Sequence, residues 1–190
     1  MINIAVFASG SGTNTEKIIE HFKNKEEIRI ALIVCNKPDA YVLTRAENHQ
    51  IPTYLISKDS FSNEGATLSA LKDRSIDCIV LAGFLWLVPE YLVQAYPNRI
   101  LNIHPALLPK YGGKGMYGMH VHRAVVENKE KESGISIHYV NEKYDEGQII
   151  AQFSCQIDPA DTPEMVAKKI HELEHARFPA VIEKIANELQ

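Results

Sequence analysis

Residues 1–14 read Met1-Ile2-Asn3-Ile4-Ala5-Val6-Phe7-Ala8-Ser9-Gly10-Ser11-Gly12-Thr13-Asn14, an apolar run that breaks into Ser-Gly-Ser-Gly. The run from Ile2 to Phe7 suits a short strand, and the glycines suit a turn at its end. Asn14 to Phe22 then carries Ile18, Ile19 and Phe22 at helical spacing. Outward from this unit the alternation continues. Strands are predicted at Ile28 to Cys35, Thr53 to Ile56, Asp77 to Ala82 and Arg99 to Ile103, with helices at Tyr41 to His49, Ser60 to Arg74 and Pro89 to Tyr96, Pro89 serving as a first helical residue. Near-continuous apolar strands between helices are the pattern of a parallel α/β sheet covered on both faces.

The tail departs from this alternation. Gly134 to Val140 and Gln148 to Ile157 are strand-like and separated only by the polar stretch Asn141 to Gly147, too short for a crossover helix, so an antiparallel pair is expected. Thr162 to Leu189 reads as a closing helix, capped by Asp161 or Thr162, with Pro163 in its first turn and Pro179 expected to kink or interrupt it. Lys110 to Met119 is glycine-rich and is expected to form a mobile loop over a cleft. The predicted fold class is therefore α/β: three layers around a mostly parallel twisted sheet, with an antiparallel C-terminal strand pair and a closing C-terminal helix.

Composition narrows the functional classes. The 190 residues suggest one domain over residues 1–190, long enough to bury a core without staples. Twenty basic residues against 24 acidic ones give a formal charge of −4, which argues against reading a nucleic-acid backbone. No apolar run has the ~20 residues needed to span a bilayer, and Ile2 to Ala8 lacks the basic leader of a signal peptide. Cys35, Cys78 and Cys155 are odd in number, widely spaced and set in apolar segments, so buried thiols in a reducing, cytoplasmic compartment are expected.

Four constellations could carry chemistry. The turn Ser9 to Asn14 brings backbone N–H groups to a helix N-terminus and suits a phosphate, although an ordinary turn capped by Asn14 would look the same. It is neither a dinucleotide fingerprint, since the third glycine position is Thr15, nor a P-loop, since no Gly-Lys-Ser/Thr follows. In Asn102-Ile103-His104-Pro105 the amide and the imidazole share one face at the carboxyl end of a parallel strand, where α/β sheets place ligands. Alternatively, His104 merely satisfies a nearby carbonyl. Asp145 lies in the loop after a strand bearing Ser136 and His138 on one side, and could reach His104, or be one of several acidic loop residues beside Glu142 and Glu146. His171 to His175 (HELEH) matches a helical zinc motif, but no third ligand follows at Val181; His120 and His122 read as a solvated helix entry.

Taken together, SGSGTN, AGFLWLVP at Ala82 to Pro89, LNIHPALLPKY at Leu101 to Tyr111, GISIHYV at Gly134 to Val140 and Asp145 resemble the folate-dependent formyltransferase family, in order and over nearly the whole chain. The SGSGTN turn and Glu174-His175 are similar to its glycinamide ribonucleotide branch. That resemblance implies a Rossmann-like formyltransferase fold and formyl transfer from 10-formyltetrahydrofolate to the ribonucleotide amine, without a metal, in purine biosynthesis. It implies that Asn102, His104 and Asp145 are catalytic and that Gly12, Thr13, Asn14 and Glu174 hold the ribonucleotide. Leu85, Leu87, Val88, Asn102, Asn141 and Asp145 would hold the folate. The partners implied are these small molecules, not nucleic acid or membrane, for a monomer or homodimer. Many relatives carry arginines where this chain has Glu64 and Trp86, and are shorter at Gly112 to Met119. Hydrolysis of the formyl folate, transfer to an aminoacyl-tRNA, a non-catalytic phosphate sensor and a zinc hydrolase are the competing readings. The first two usually come with an extra N-terminal or C-terminal domain, respectively.

Overall fold

The computed structural model describes residues 1–189; Gln190 and the side chain of Glu64 lie outside the described residues. The described residues form seven strands in one sheet, ordered β3-β2-β1-β4-β5-β6-β7. Strands β1 (Ile2–Ala8), β2 (Ile28–Cys35), β3 (Thr53–Leu55), β4 (Cys78–Leu81) and β5 (Ile100–His104) pair in parallel. Strand β6 (Glu132–Tyr139) runs antiparallel both to β5 and to β7 (Ile149–Gln156), so the sheet changes sense at β5.

The side-chain alternation of the strands builds two cores. Ile2, Ile4, Val6 and Ala8 of β1 face one side, while Ala5 and Phe7 face the other. The first side is covered by α1 (Thr13–Phe22), α2 (Tyr41–Asn48), α6 (Met119–Glu127) and α7 (Pro163–Glu188), whose Ile18, Val42, Val121 and Ile170 are buried there. The second side is covered by α3 (Lys58–Ser62), α4 (Glu64–Lys72) and α5 (Glu90–Ala95) through Phe61, Leu71 and Leu92. This is the expected three-layer arrangement.

Several local expectations are corrected. The helix expected from Ser60 to Arg74 is two helices, because Asn63 adopts an extended conformation (ψ 130°) between them. A Ser57–Ser60 capping box starts the first of them early. Pro89 stands at the N-cap of α5 with ψ 148°, one residue before the helix. Thr162 caps α7, accepting from the Met165 amide at 3.3 Å, and Asp161 instead binds Lys169 and the Asp158 amide. Pro179 does not interrupt α7, which continues to Glu188; the buried Phe178 and Ile182 on either side of it hold the helix against the core. Cys35 and Cys78 are buried as expected, but Cys155 on β7 is only half-buried.

At the β5 and β6 end of the second face, loops rather than helices form the cover. Ser136 Oγ donates to the Ala106 carbonyl at 2.7 Å and accepts the Leu108 amide at 2.9 Å, seating the segment after β5 on the sheet. That segment leads into the glycine-rich stretch, so the polar side chains of β5 and β6 end up beneath a roof of backbone.

Candidate active site

A cleft of about 650 Å³ opens along the carboxyl ends of β1, β4 and β5. Its walls come from the Ser9–Asn14 turn, the Phe84–Val88 segment, Asn102 and His104, the Gly113–Gly118 stretch and the Lys143–Asp145 loop. Carboxyl strand ends are where open α/β sheets leave room for a ligand, because the connections on either side diverge.

The polar centre arises from strand register. Asn102 on β5 stands opposite His138 on β6, and His104 opposite Ser136. The Asn102 amide nitrogen lies 3.0 Å from His138 Nε2 and 3.4 Å from Asp145 Oδ1. His138 Nδ1 faces the Tyr139 carbonyl at 2.8 Å, and because a carbonyl only accepts, that nitrogen carries a proton. Nε2 lies between the Asn102 amide nitrogen and Asp145 Oδ1, the latter at 3.6 Å. His104 Nε2 likewise donates to the Tyr111 carbonyl at 2.7 Å, which turns Nδ1 toward Asp145 Oδ2 at 3.4 Å. The same oxygen accepts the Gly113 amide at 2.9 Å. One loop carboxylate thus meets two strands and the glycine-rich segment.

Burial sets the charges. It lowers the proton affinity of His104 below the ordinary histidine value, an effect that the Asp145 carboxylate and the Tyr111 carbonyl only partly offset. The free protein therefore disfavours the imidazolium form of His104. For Asp145 burial works toward the neutral acid, but the His138 and His104 imidazoles and the Gly113 amide outweigh it and hold the carboxyl below its usual value. An ionised carboxylate beside a neutral imidazole can accept a proton jointly with it.

At the other end of the cleft Gly12, with φ 73°, is the N-cap of α1, and no side chain caps that helix. Thr13 and Asn14 begin it and line the cleft, so the first-turn amides are available to an anion. Asn14 is not a cap. Its side-chain nitrogen donates to Glu174 Oε2 of α7 at 2.9 Å. Glu174 is buried, and burial raises its pKa while Asn14 works against that shift. The expected ribonucleotide residues Gly12, Thr13, Asn14 and Glu174 therefore share one wall.

Among the expected folate residues, Leu85 and Leu87 are each 40% exposed and Val88 is buried; all three line the cleft with Asn102 and Asp145. Asn141 does not. Its side chain accepts the Lys143 amide at 3.0 Å and stabilises its own loop. Trp86 lines the cleft and packs against Phe61 and Phe84 at 5.8 and 6.1 Å. His122, expected at a solvated helix entry, is buried on α6 and lines the cleft. His171 and His175 stack at 6.2 Å, and no group of three His, Cys, Asp or Glu that could hold a metal ion occurs among the described residues. His138 is the site residue that sequence reading left without a role; its pairing with Asn102 depends on β5–β6 register, which the sequence does not display.

Comparison with known proteins shows which family the chain belongs to. The chain is 40% identical over 190 residues to phosphoribosylglycinamide formyltransferase of Bacillus subtilis, covering 97% of this chain and 95% of the relative. It is 42% identical to the chloroplastic enzyme of that name from Arabidopsis thaliana, covering 97% of this chain and 65% of the longer relative. The crystal structure of phosphoribosylglycinamide formyltransferase from Bacillus halodurans superposes with a TM-score of 0.88 at 37% identity, covering 99% of this chain and 97% of that one. That of glycinamide ribonucleotide transformylase 1 from Symbiobacterium toebii gives 0.90 at 32%, covering 99% and 89%. Residues 2–182 match the formyl transferase family, and with this coverage the chain belongs to that family.

Proposed function

We propose that this chain moves the formyl group of 10-formyltetrahydrofolate to the amine of glycinamide ribonucleotide, with Asn102, His104 and Asp145 as the catalytic residues. The observation that carries this reading is the carboxylate of Asp145, which lies 3.4 Å from both His104 Nδ1 and the Asn102 amide nitrogen at a cleft wall. Asn102 donates to the formyl oxygen as it gains negative charge, and a donor of this kind is typically worth about 10²–10³ in rate. His104 becomes the second donor by sharing, through Asp145, the single proton that the attacking amine sheds as that charge develops. Asp145 receives the proton shed by the attacking amine and, with His104, returns it to the folate nitrogen as the carbon–nitrogen bond to the formyl group breaks. One bond forms, one breaks and the proton count balances.

Substrate binding divides between the two ends of the cleft. The amides of Gly12, Thr13 and Asn14 take the phosphate, and Glu174, fixed by Asn14, faces the ribose. Leu85, Leu87 and Val88 supply an apolar wall for the flat pterin, beside Trp86. Holding both reactants at separate handles is how orientation becomes rate. The setting is the cytoplasm, where the donor and acceptor of purine synthesis meet; no described helix is long and apolar enough to cross a membrane.

The test is a spectrophotometric assay of formyl loss from the donor, with and without glycinamide ribonucleotide, on wild type and on Asn102→Ala, His104→Ala and Asp145→Asn. Acceptor-dependent loss in wild type and kcat reductions of roughly 10²-fold or more in the variants are expected. Loss without acceptor would mark a hydrolase instead. Near wild-type kcat in all three variants would remove the catalytic assignment.

A further inference from the structure

The turn that receives the phosphate in the reading above is held from behind by α2. The Val42 amide donates to the Gly10 carbonyl at 3.1 Å, and Arg45 Nε donates to the Ser11 carbonyl at 2.8 Å. Arg45 is itself fixed: its Nη1 lies 2.8 Å from Glu16 Oε2, and its guanidinium sits 5.0 Å from the Tyr41 ring centroid. Glu16 also pairs with His49, so its carboxylate is anchored at both oxygens. The Gly12 carbonyl, in turn, accepts the Glu16 amide at 2.9 Å.

In a trans peptide the C=O and the following N–H point in opposite directions. Holding the Gly10 and Ser11 carbonyls toward α2 therefore turns the Ser11 and Gly12 N–H groups away from α2, toward the cleft that both residues line. Neither amide has a protein acceptor among the described residues. Successive N–H groups aimed at one point form an anion-binding concavity.

We propose that Arg45, on the outer side of the turn, is a positioning residue for ribonucleotide binding: it fixes the Ser11–Gly12 peptide plane so that the Gly12 amide faces the phosphate. The inference rests on the turn being the phosphate site. Arg45 does not touch the ligand, and its charge is already matched by Glu16. A lysine at position 45 keeps the cation but lacks a guanidinium to bind Ser11 and Glu16 together.

The experiment compares wild type, Arg45→Met and Arg45→Lys for KM of glycinamide ribonucleotide, KM of the formyl donor, kcat and thermal midpoint. In parallel, the rise in thermal midpoint produced by inorganic phosphate is titrated for each protein. Both variants are expected to raise the ribonucleotide KM about tenfold, with kcat and donor KM within about twofold of wild type. The phosphate concentration giving half the midpoint shift should rise in the same proportion. Restoration of the wild-type KM by lysine would show that charge alone suffices and overturn the proposal, as would equal losses for both substrates. Should Arg45→Met fail to fold, Arg45→Lys alone decides. If wild type transfers no formyl group, the functional reading fails, whereas a weaker phosphate response in Arg45→Lys still upholds the clamp.

Discussion

The carboxylate of Asp145 accepts the Gly113 amide at 2.9 Å while the same oxygen faces His104 at 3.4 Å. In the proposed mechanism, acid–base chemistry and loop position are thereby tied to one side chain. Asparagine keeps an oxygen for the Gly113 amide but no charge; alanine keeps neither. Asp145→Asn and Asp145→Ala should both lose turnover, yet only the alanine variant should release the glycine-rich segment. Limited trypsin digestion after the exposed Lys114 is the measurement: faster cleavage in Asp145→Ala than in wild type, and wild-type rates in Asp145→Asn. Equal cleavage in all three would show that the hydrogen bond does not restrain the segment.

Gly147 sits two residues beyond Asp145, where an added Cβ would lie 1.7 Å from the Tyr139 carbonyl oxygen and 3.4 Å from His138 Nδ1. The nearest atom is backbone and cannot swing aside. Gly147→Ala should therefore destabilise the protein by about 1–3 kcal/mol or more in a denaturant titration and shift Asp145 enough to lower kcat. A stable variant with full activity would mean that the hairpin accommodates the methyl group.

Burial, reinforced by His171 and His104 nearby, pushes the pKa of His122 down to about 4, and its Nδ1 is sealed without a partner. The sign follows from proton counting. Between about 4 and the ordinary value of 6.5 the unfolded chain binds the proton and the folded chain does not, so stability rises with pH across that window. The thermal midpoint should fall on acidification from pH 6.5 toward 4, and His122→Leu, which removes both the titration and the unpaired nitrogen, should show a shallower fall. Identical midpoint curves would count against a buried neutral imidazole.

Trp86 is the only tryptophan of the chain, and it lines the cleft beside Phe61 and Phe84. Its fluorescence should change saturably on titration with a folate and stay nearly constant with the ribonucleotide alone. The reverse pattern would assign the two ends of the cleft the other way round.

The extent to which this was legible beforehand follows from contact range. Apolar runs at Ile4, Ile33 and Val80 announce buried strands by local composition, and the Ser9–Asn14 turn and the Asn102–His104 spacing are likewise local. The loop position of Asp145 makes it a candidate partner of His104, but only the family resemblance separates it from Glu142 and Glu146 in the same loop. The bond from His138 to Asn102 joins residues 36 apart and exists only once β6 turns antiparallel to β5. Asn63 and Pro179 were misread for opposite reasons. At Asn63 an early capping box starts one helix before the next can begin, and at Pro179 packing of Phe178 and Ile182 overrides a missing backbone donor.

The bond between Asn14 and Glu174 spans 160 positions and joins the first helix to the last. During synthesis the Ser9–Asn14 turn leaves the ribosome early, but its carboxylate partner follows only when the C-terminal helix emerges and docks. A nascent or truncated chain lacking that helix lacks the part of the cleft wall that His171 and Glu174 supply. Asn14 therefore reaches its native contact only after the chain has been made past position 174.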